Sequence, residues 1–417
     1  MPRRIPHLVG RLLALSALGG MLVASWVLAT SMSAAAGSWR GGPLHGLSSH
    51  LSAPDHRRAI AALGVCYLVT VACGSIGLLP RRATLVTIGV ASALFAVAAV
   101  VPRSDIYTYL GFARLSVAHG ISPYDHGLVA AHADPVFELA VGKWRTGTTP
   151  YGPLFTLVTM AAAQLPVAAA AWTLKGVMCA AMLGCVGLVG IIARRLGRDP
   201  ILAAAFVGLN PAVLVYVLGK GHSDGLMMLP VLLAVLFVVR GHEIAAGASA
   251  VVAAGVKITA GVVVPILVIG AGRRGRIAIG IAIGALATGA IAYAAFGAGP
   301  IHVLHNARRD QQLVRADLSL FGLVGRGLGV DWKSAAAHHG IEIFLASYAL
   351  VLVAALVRPR HWIGWSGWAM VALLATSISL WPWYLAWLLP LAALAGDVTL
   401  SLAALALTAA SIGLLLM

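Results

Sequence analysis

The sequence is short of charge, and shortest of acids. Only 10% of its 417 residues are Asp, Glu, Lys or Arg, and Asp and Glu together number 13 against 29 Lys and Arg. Soluble domains carry roughly 25% charged residues. No long polar stretch remains from which a separate soluble domain could be built. Cysteine is also scarce. Cys66, Cys73, Cys179 and Cys185 all fall inside apolar runs, where a free thiol acts as a small hydrophobe. None has metal-ligand spacing or an extramembrane partner for a disulfide. The 14 histidines are scattered, with no HxxxH zinc signature. No internal repeat is evident.

What is abundant is apolar sequence. Hydrophobic residues make up 60% of the chain, and the mean hydropathy is +0.93. Apolar runs of about 20 residues recur from end to end, the length a helix needs to cross about 30 Å of hydrocarbon. Lipid cannot satisfy open backbone groups, so the expected fold is all-α. The runs predict a polytopic transmembrane protein of about 12–13 membrane helices or half-helices. The net charge of +16 does not point to nucleic acid. Its arginines cluster in short loops, where they set topology and meet anionic lipid headgroups.

Those loops orient the chain. Arg3–Arg4, Arg81–Arg82, Arg194–Arg195–Arg198, Arg240, Arg273–Arg274–Arg276 and Arg358–Arg360 mark the cytoplasmic side. Arg57–Arg58 is the one contrary signal. The apolar stretch Leu13–Thr30 is longer than a signal-peptide core and reads as an uncleaved first span. Helices are expected over Leu12–Ser33, Ala59–Leu79, Ala83–Val101, Val167–Ala193, Ile201–Leu218, Gly225–Val239 and Ile277–Phe296. Later ones are expected over Gly340–Val357, Trp362–Leu380, Trp383–Ala395 and Val398–Leu416. Tyr151–Leu165 is too short to span and reads as a half-inserted or interfacial helix. Ile244–Ala271 has basic flanks at both ends and room only for a hairpin of two short helices, with Lys257 near its apex. The whole, 1–417, reads as one integral membrane domain with outer loops 102–150 and 297–318.

Acids are scarce, and those on the expected outer face include Asp105, Asp125, Asp134, Glu138 and Asp224. Asp105 follows a membrane helix directly, in Arg103-Ser-Asp-Ile-Tyr-Thr-Tyr. It fits a catalytic carboxylate at the mouth of a cavity, and it equally fits an N-cap for a helix over Ile106–Ala118. Lys257 is an ionisable group inside an apolar hairpin. Such groups face a polar cavity or an anion unless they snorkel to an interface. Lys175 is a weaker case of the same kind, and Arg308 and Arg309 of the second outer loop are lesser candidates. His222-Ser-Asp224 is not a serine triad, because adjacent side chains cannot supply that geometry. It reads as a helix cap or as a cavity wall. Trp381-Pro-Trp383-Tyr384 fits an interfacial aromatic belt or a stacking surface for sugar.

These residues resemble a known family. Ser104-Asp-Ile-Tyr107-Thr-Tyr109, followed by Gly120-Ile-Ser-Pro-Tyr124, looks like the first-loop signature of GT-C glycosyltransferases. More narrowly it resembles the polyprenol-phosphate-mannose-dependent alpha-(1→6)-mannosyltransferases of actinobacterial lipomannan assembly. Pro150-Tyr151-Gly-Pro-Leu-Phe155, Asn210-Pro211 through Gly221-His222-Ser-Asp224-Gly-Leu-Met227, Val256-Lys257 and Pro382-Trp383-Tyr384 match that family's motifs in order. Ser223 stands where the family usually has Asn, and the chain is shorter than typical members. The resemblance implies an inverting glycosyltransferase of the cell membrane with its active site on the extracytoplasmic side. Its donor would be a polyprenyl-phosphate sugar, most simply mannose, and its acceptor a glycolipid or glycan. Asp105 would be the general base. Tyr107, Tyr109, Tyr124, Tyr151, Lys175, His222, Asp224, Lys257, Arg308, Arg309, Trp383 and Tyr384 would bind substrate. No Asp-x-Asp pair is present to hold the cation of a nucleotide sugar, and no cofactor is expected beyond the lipid-linked sugar substrate. A pentose donor, or a transporter or flippase of lipid-linked substrates, are the competing readings. The second calls for inverted repeats.

Overall fold

A computed structural model describes residues 4–36, 40, 42–303, 319–329 and 333–416. Among these residues there is no strand. Five helices are long and apolar enough to cross a membrane: α1 (Arg4–Ala34), α2 (Ala53–Ser75), α6 (Val167–Arg195), α11 (Arg274–Phe296) and α13 (Lys333–Val357). Between them lie α3 (Arg81–Val97), α4 (Asp105–His119), α5 (Pro153–Ala163), α7 (Pro200–Gly208), α8 (Asp224–Val239), α9 (Glu243–Val256), α10 (Val264–Gly270) and α12 (Leu320–Leu328). The chain closes with α14 (Trp362–Thr376), α15 (Leu385–Ala395) and α16 (Val398–Leu416). The protein is an all-α polytopic membrane protein. Leu286 and Tyr293 on α11 and Leu350 on α13 are exposed on its outside, where hydrocarbon is the solvent they suit.

Two of the helices are interrupted. The expected hairpin over Ile244–Ala271 is present as α9, a 3₁₀ turn over Ile258–Val263, and α10, with Lys257 in extended conformation at the break. The expected single helix over Ile201–Leu218 is instead broken. α7 ends before Asn210, a π-helical segment runs over Ala212–Leu218, and the two axes bend by 55°. Pro211 explains the break. Its ring disfavours helical geometry in the residue before it and supplies no N–H to the ladder. Asn210 repairs the damage. It is buried, its Oδ1 accepts the Ala212 N–H at 2.9 Å, and its Nδ2 donates to Thr408 Oγ1 at 3.3 Å.

Helix directions separate two ends of the molecule. α6 holds Lys175 beside the carbonyls of Ala98 and Ala99 near one end and carries Arg194–Arg195 at the other, about 43 Å of helix in all at 1.5 Å per residue. α14 leaves Arg358–His361, reaches Ser377–Ser379, and α15 returns to Gly396–Asp397. Arg198 joins the two basic regions by donating to the carbonyl of Ala395 at 2.7 Å. The arginine loops 194–198 and 358–361 therefore share one end, and the segments 98–105 and 381–384 share the other. Cysteines placed at 195 and at 143 in a cysteine-free background should be labelled by a membrane-impermeant maleimide from opposite sides of the membrane. Labelling of both from one side would refute this arrangement.

Candidate active site

The site starts from a pinned strand of backbone. After α3, Ala99 donates to Ser33 Oγ at 3.1 Å and Val100 to the carbonyl of Arg40 at 2.8 Å. The Lys175 ammonium, almost fully buried, donates to the carbonyls of Ala98 and Ala99. Arg103 then takes a left-handed conformation, φ 56°, with its N–H bonded to the Leu139 carbonyl at 2.7 Å. A non-glycine residue in that region is strained, and such residues gather at functional sites. This turn delivers Asp105 to the first position of α4, where the helix dipole favours a carboxylate. The capping role is not what the structure shows: neither Ser104 nor Asp105 makes a side-chain cap hydrogen bond, and Ser104 Oγ is buried without a partner.

Helical spacing chooses which tyrosine joins Asp105. Tyr109 is four residues on and shares its face; Tyr107 is two residues on and cannot. Tyr109 OH lies 3.4 Å from Ser223 Oγ, and its ring meets Tyr151 and Phe155 edge-on at 5.1 and 4.9 Å. Tyr107 is buried, with its hydroxyl directed to the Val100 carbonyl at 3.5 Å. Tyr151 is placed by its neighbour. Gly152 donates to the Val256 carbonyl at 3.0 Å, and a Cβ at 152 would lie 2.1 Å from the Gly255 oxygen. Only glycine allows this approach, which sets Tyr151 against the break that carries Lys257.

The second acid arrives through Gly221. Its φ of +70° turns the chain from the π-helical segment, and a Cβ there would strike Ile106 at 2.5 Å. His222 follows. Its Nδ1 is 3.1 Å from Asp105 Oδ2, with side chains 5% and 17% exposed. The separation is that of an ion pair, but the ring nitrogen is off the alignment of a hydrogen bond and has no hydrogen-bond partner. The imidazole stacks on Trp383 at 3.8 Å and 10°, and Trp383 on Trp381 at 4.8 Å and 11°. Asp224 does not cap α8. Its Oδ1 accepts from Lys257 Nζ at 2.9 Å and Trp387 Nε1 at 2.6 Å, while Oδ2 is buried without a partner. The Lys257 ammonium also lies over Trp387, Tyr384 and Tyr151 at 4.7, 5.1 and 5.8 Å.

These residues enclose a cavity of about 300 Å³. Of the residues expected from sequence, Asp105, Tyr109, Tyr151, His222, Asp224, Lys257, Trp383 and Tyr384 line it. Three do not. Tyr107 faces the other side of α4; Tyr124 shares a hydrogen bond with Thr156 Oγ1 at 2.9 Å and packs on Phe296; Lys175 holds backbone carbonyls. Arg308 and Arg309 lie outside the described residues. Three other acids of the first outer loop are engaged elsewhere: Asp134 with Arg114 and His119, Glu138 with Arg145, Asp125 with His302. Arg103, Lys143, Trp144, Lys220 and Trp381 also line the cavity. Sequence reasoning passed over Lys143 and Lys220 because they sit in loops, where a lysine is ordinary. No three of His, Cys, Asp and Glu converge to hold a metal ion among the described residues.

Burial pushes the Asp105 carboxyl up, but the adjoining His222, and beyond it Lys143 and Lys257, outweigh that effect and hold it below the usual carboxylate range. The cavity thus offers an ionised carboxylate at a rigid helix start, aromatic walls, and unmet polar atoms at Ser104 and Asp224.

The profile of the alpha-(1→6)-mannopyranosyltransferase N-terminal domain matches residues 11–273, more than half of the chain and the segment that supplies Asp105, His222, Asp224 and Lys257. The chain belongs to this family. Alpha-(1→6)-mannopyranosyltransferase A of Corynebacterium glutamicum is 27% identical over 176 residues, 41% of this chain and 35% of that protein. The protein of the same name from Mycobacterium tuberculosis is 30% identical over 167 residues, 39% of this chain and 32% of its own. The chain thus spans about a third of the length of the curated relatives it matches. No solved structure matches it.

The Asp224–Lys257 pair joins α8 to the break after α9 inside the protein. Removing one partner leaves a buried charge unpaired, a change that typically costs about 3–5 kcal/mol. Lys257→Ala should therefore lower the melting temperature in detergent markedly, and Asp224→Asn added to it should restore part of the loss. If the double variant melts no higher than Lys257→Ala, the pair does not stabilise the fold in this way.

Proposed function

We propose that this protein is a membrane mannosyltransferase. It transfers mannose from a polyprenyl-phosphate donor to a glycolipid or glycan acceptor, in a cavity facing the extracytoplasmic side. Family membership supports the transfer of mannose. The observation that carries the mechanism is Asp105, an ionised carboxylate in the wall of an aromatic, cation-lined cavity at the end of the molecule opposite the arginine loops. Basic loops remain in the cytoplasm, which supports placing the cavity outside.

The reaction follows from these groups. Asp105 accepts the proton of an acceptor hydroxyl. The freed oxygen bonds to the anomeric carbon of the sugar, and the bond from that carbon to the phosphate oxygen breaks with its electron pair leaving on the lipid phosphate. Attack from the face opposite the leaving group inverts the anomeric centre. The leaving group is the anion of an acidic phosphate, so positive charge in the cavity suffices to stabilise it and no general acid is needed. Ser104 Oγ and Asp224 Oδ2, buried and unpartnered, suit the hydroxyls of a bound sugar. The rings of Tyr109, Tyr151, Trp383 and Tyr384 suit its apolar faces.

Asp105→Asn keeps the size of the side chain but cannot take the proton. Loss of a positioned base costs about 10²–10⁴-fold in rate, so transfer from a radiolabelled polyprenyl-phosphate mannose to membrane glycolipid should fall by that factor at normal expression. Transfer near the wild-type rate would remove Asp105 as the base. A second expectation concerns pH. A base with a lowered pKa stays active as pH falls, until it is protonated below the usual carboxylate range. His222→Gln removes the imidazole that helps hold the Asp105 carboxyl low against burial, so the acid limb of the rate profile should move to higher pH. An unmoved limb would separate His222 from the charge state of Asp105.

A further inference from the structure

Four cations, Arg103, Lys143, Lys220 and Lys257, line the cavity with only two acids, Asp105 and Asp224. Their situations differ. Lys257 is ion-paired with Asp224 at 2.9 Å, so the two present little net charge to a ligand. Arg103, Lys143 and Lys220 make no ion pair among the described residues. Lys143 Nζ lies over the indoles of Trp144 and Trp381 at 4.9 and 4.7 Å, and Lys220 Nζ over the ring of Tyr216 at 4.8 Å. Aromatic faces hold an ammonium in place but do not neutralise it. Lysines with no acid partner ordinarily extend to water. These two are half-buried in the cavity wall, near enough to Asp105 for its charge to act on both.

We propose that Lys143 and Lys220, with Arg103 at the rim, form the phosphate-binding subsite of this cavity, and that the anion they take is the phosphate of the lipid donor. The proposal rests on the function given above and moves the phosphate from Lys257, the sequence-derived candidate, to cations with no counter-ion of their own. Two physical reasons favour the donor. A donor phosphodiester must approach the negative Asp105, and unpaired cations offset that repulsion. As the bond to the anomeric carbon breaks, the phosphate gains a further negative charge. Cations without a fixed counter-ion stabilise that growing charge more than they stabilise the diester, which is what accelerates the step. Asp224 then holds Lys257 as a positioned wall for the sugar.

The test uses the purified full chain in detergent with farnesyl phosphate as the lipid-phosphate probe, farnesol as its uncharged match, and inorganic phosphate as the free anion. Wild type should bind farnesyl phosphate more tightly than either control. Lys143→Gln and Lys220→Gln should each weaken farnesyl phosphate binding about tenfold, the size of one charge-assisted hydrogen bond, and leave farnesol binding unchanged. Lys143→Arg and Lys220→Arg should retain most of the affinity. If wild type prefers farnesyl phosphate no more than farnesol, the lipid-phosphate donor itself is wrong. If wild type shows the preference and both Gln variants keep it, the subsite is wrong and the donor reading stands. Inorganic phosphate binding as tightly as farnesyl phosphate would make this a free-anion site. Gln variants that raise only the KM for acceptor would assign the anion to the acceptor. Either result overturns the proposal. If Lys143→Gln does not fold, the Lys220 pair of variants decides.

Discussion

A charge inside a membrane protein needs a partner, and the Asp224–Lys257 pair is where this constraint acts most strongly. Its carboxylate is 1% exposed and takes both the Lys257 ammonium and the Trp387 N–H on one oxygen. Three elements are joined at that atom: the start of α8, the interruption after α9, and the first turn of α15. The aromatic rings over the ammonium complete its surroundings, and two of them, Tyr151 and Tyr384, also wall the cavity. Structural pairing and substrate-sized space therefore share residues.

The second acid is handled differently. Asp105 stands at a helix N-terminus beside an imidazole that is clamped flat on Trp383. It remains partly open to the cavity, whereas Asp224 is 1% exposed and keeps one unpartnered oxygen in the wall. Two carboxylates in one cavity are thus assigned separate environments. One is fully committed to the protein on one of its oxygens, and the other is ionised and accessible. Distinct surroundings of this kind let chemically identical groups perform different tasks.

Much of the fold was legible because hydrophobic run length and basic flanks are strong signals in a membrane chain. The re-entrant shape around Lys257 followed from two arginine clusters too close together to enclose two spans. The short α5 followed from the same kind of length limit. The bend at Asn210–Pro211 was missed because an unbroken apolar run outweighed the proline, although the proline itself was the visible signal. Asp105, His222 and Lys257, which the structure brings to one cavity, stand out in the sequence as polar residues amid apolar surroundings. Tyr107 was wrongly grouped with Tyr109, and helical periodicity alone could have parted them. Lys175 could not be told from a cavity residue, since its partners are backbone carbonyls of a distant segment. The pairing of Lys257 with Asp224 was equally hidden, because contact across separate helices leaves no mark in local spacing.

The backbone bond from Gly152 to Val256 has a mechanical meaning. It ties the turn that carries Tyr151 to the residue preceding Lys257, at a contact too tight for any side chain at position 152. That flank of the cavity moves as one body or not at all. The opposite flank, 102–144, is fastened by bonds of its own: the Arg103 N–H to the Leu139 carbonyl at 2.7 Å, the Val141 N–H to Thr108 Oγ1 at 3.1 Å, and the Arg114–Asp134 pair at 2.9 Å. Both flanks of the cavity are thus held by bonds within the protein, and on the Gly152–Val256 side the bond runs between backbones, so the spacing of Tyr151 and Lys257 does not depend on side-chain packing alone.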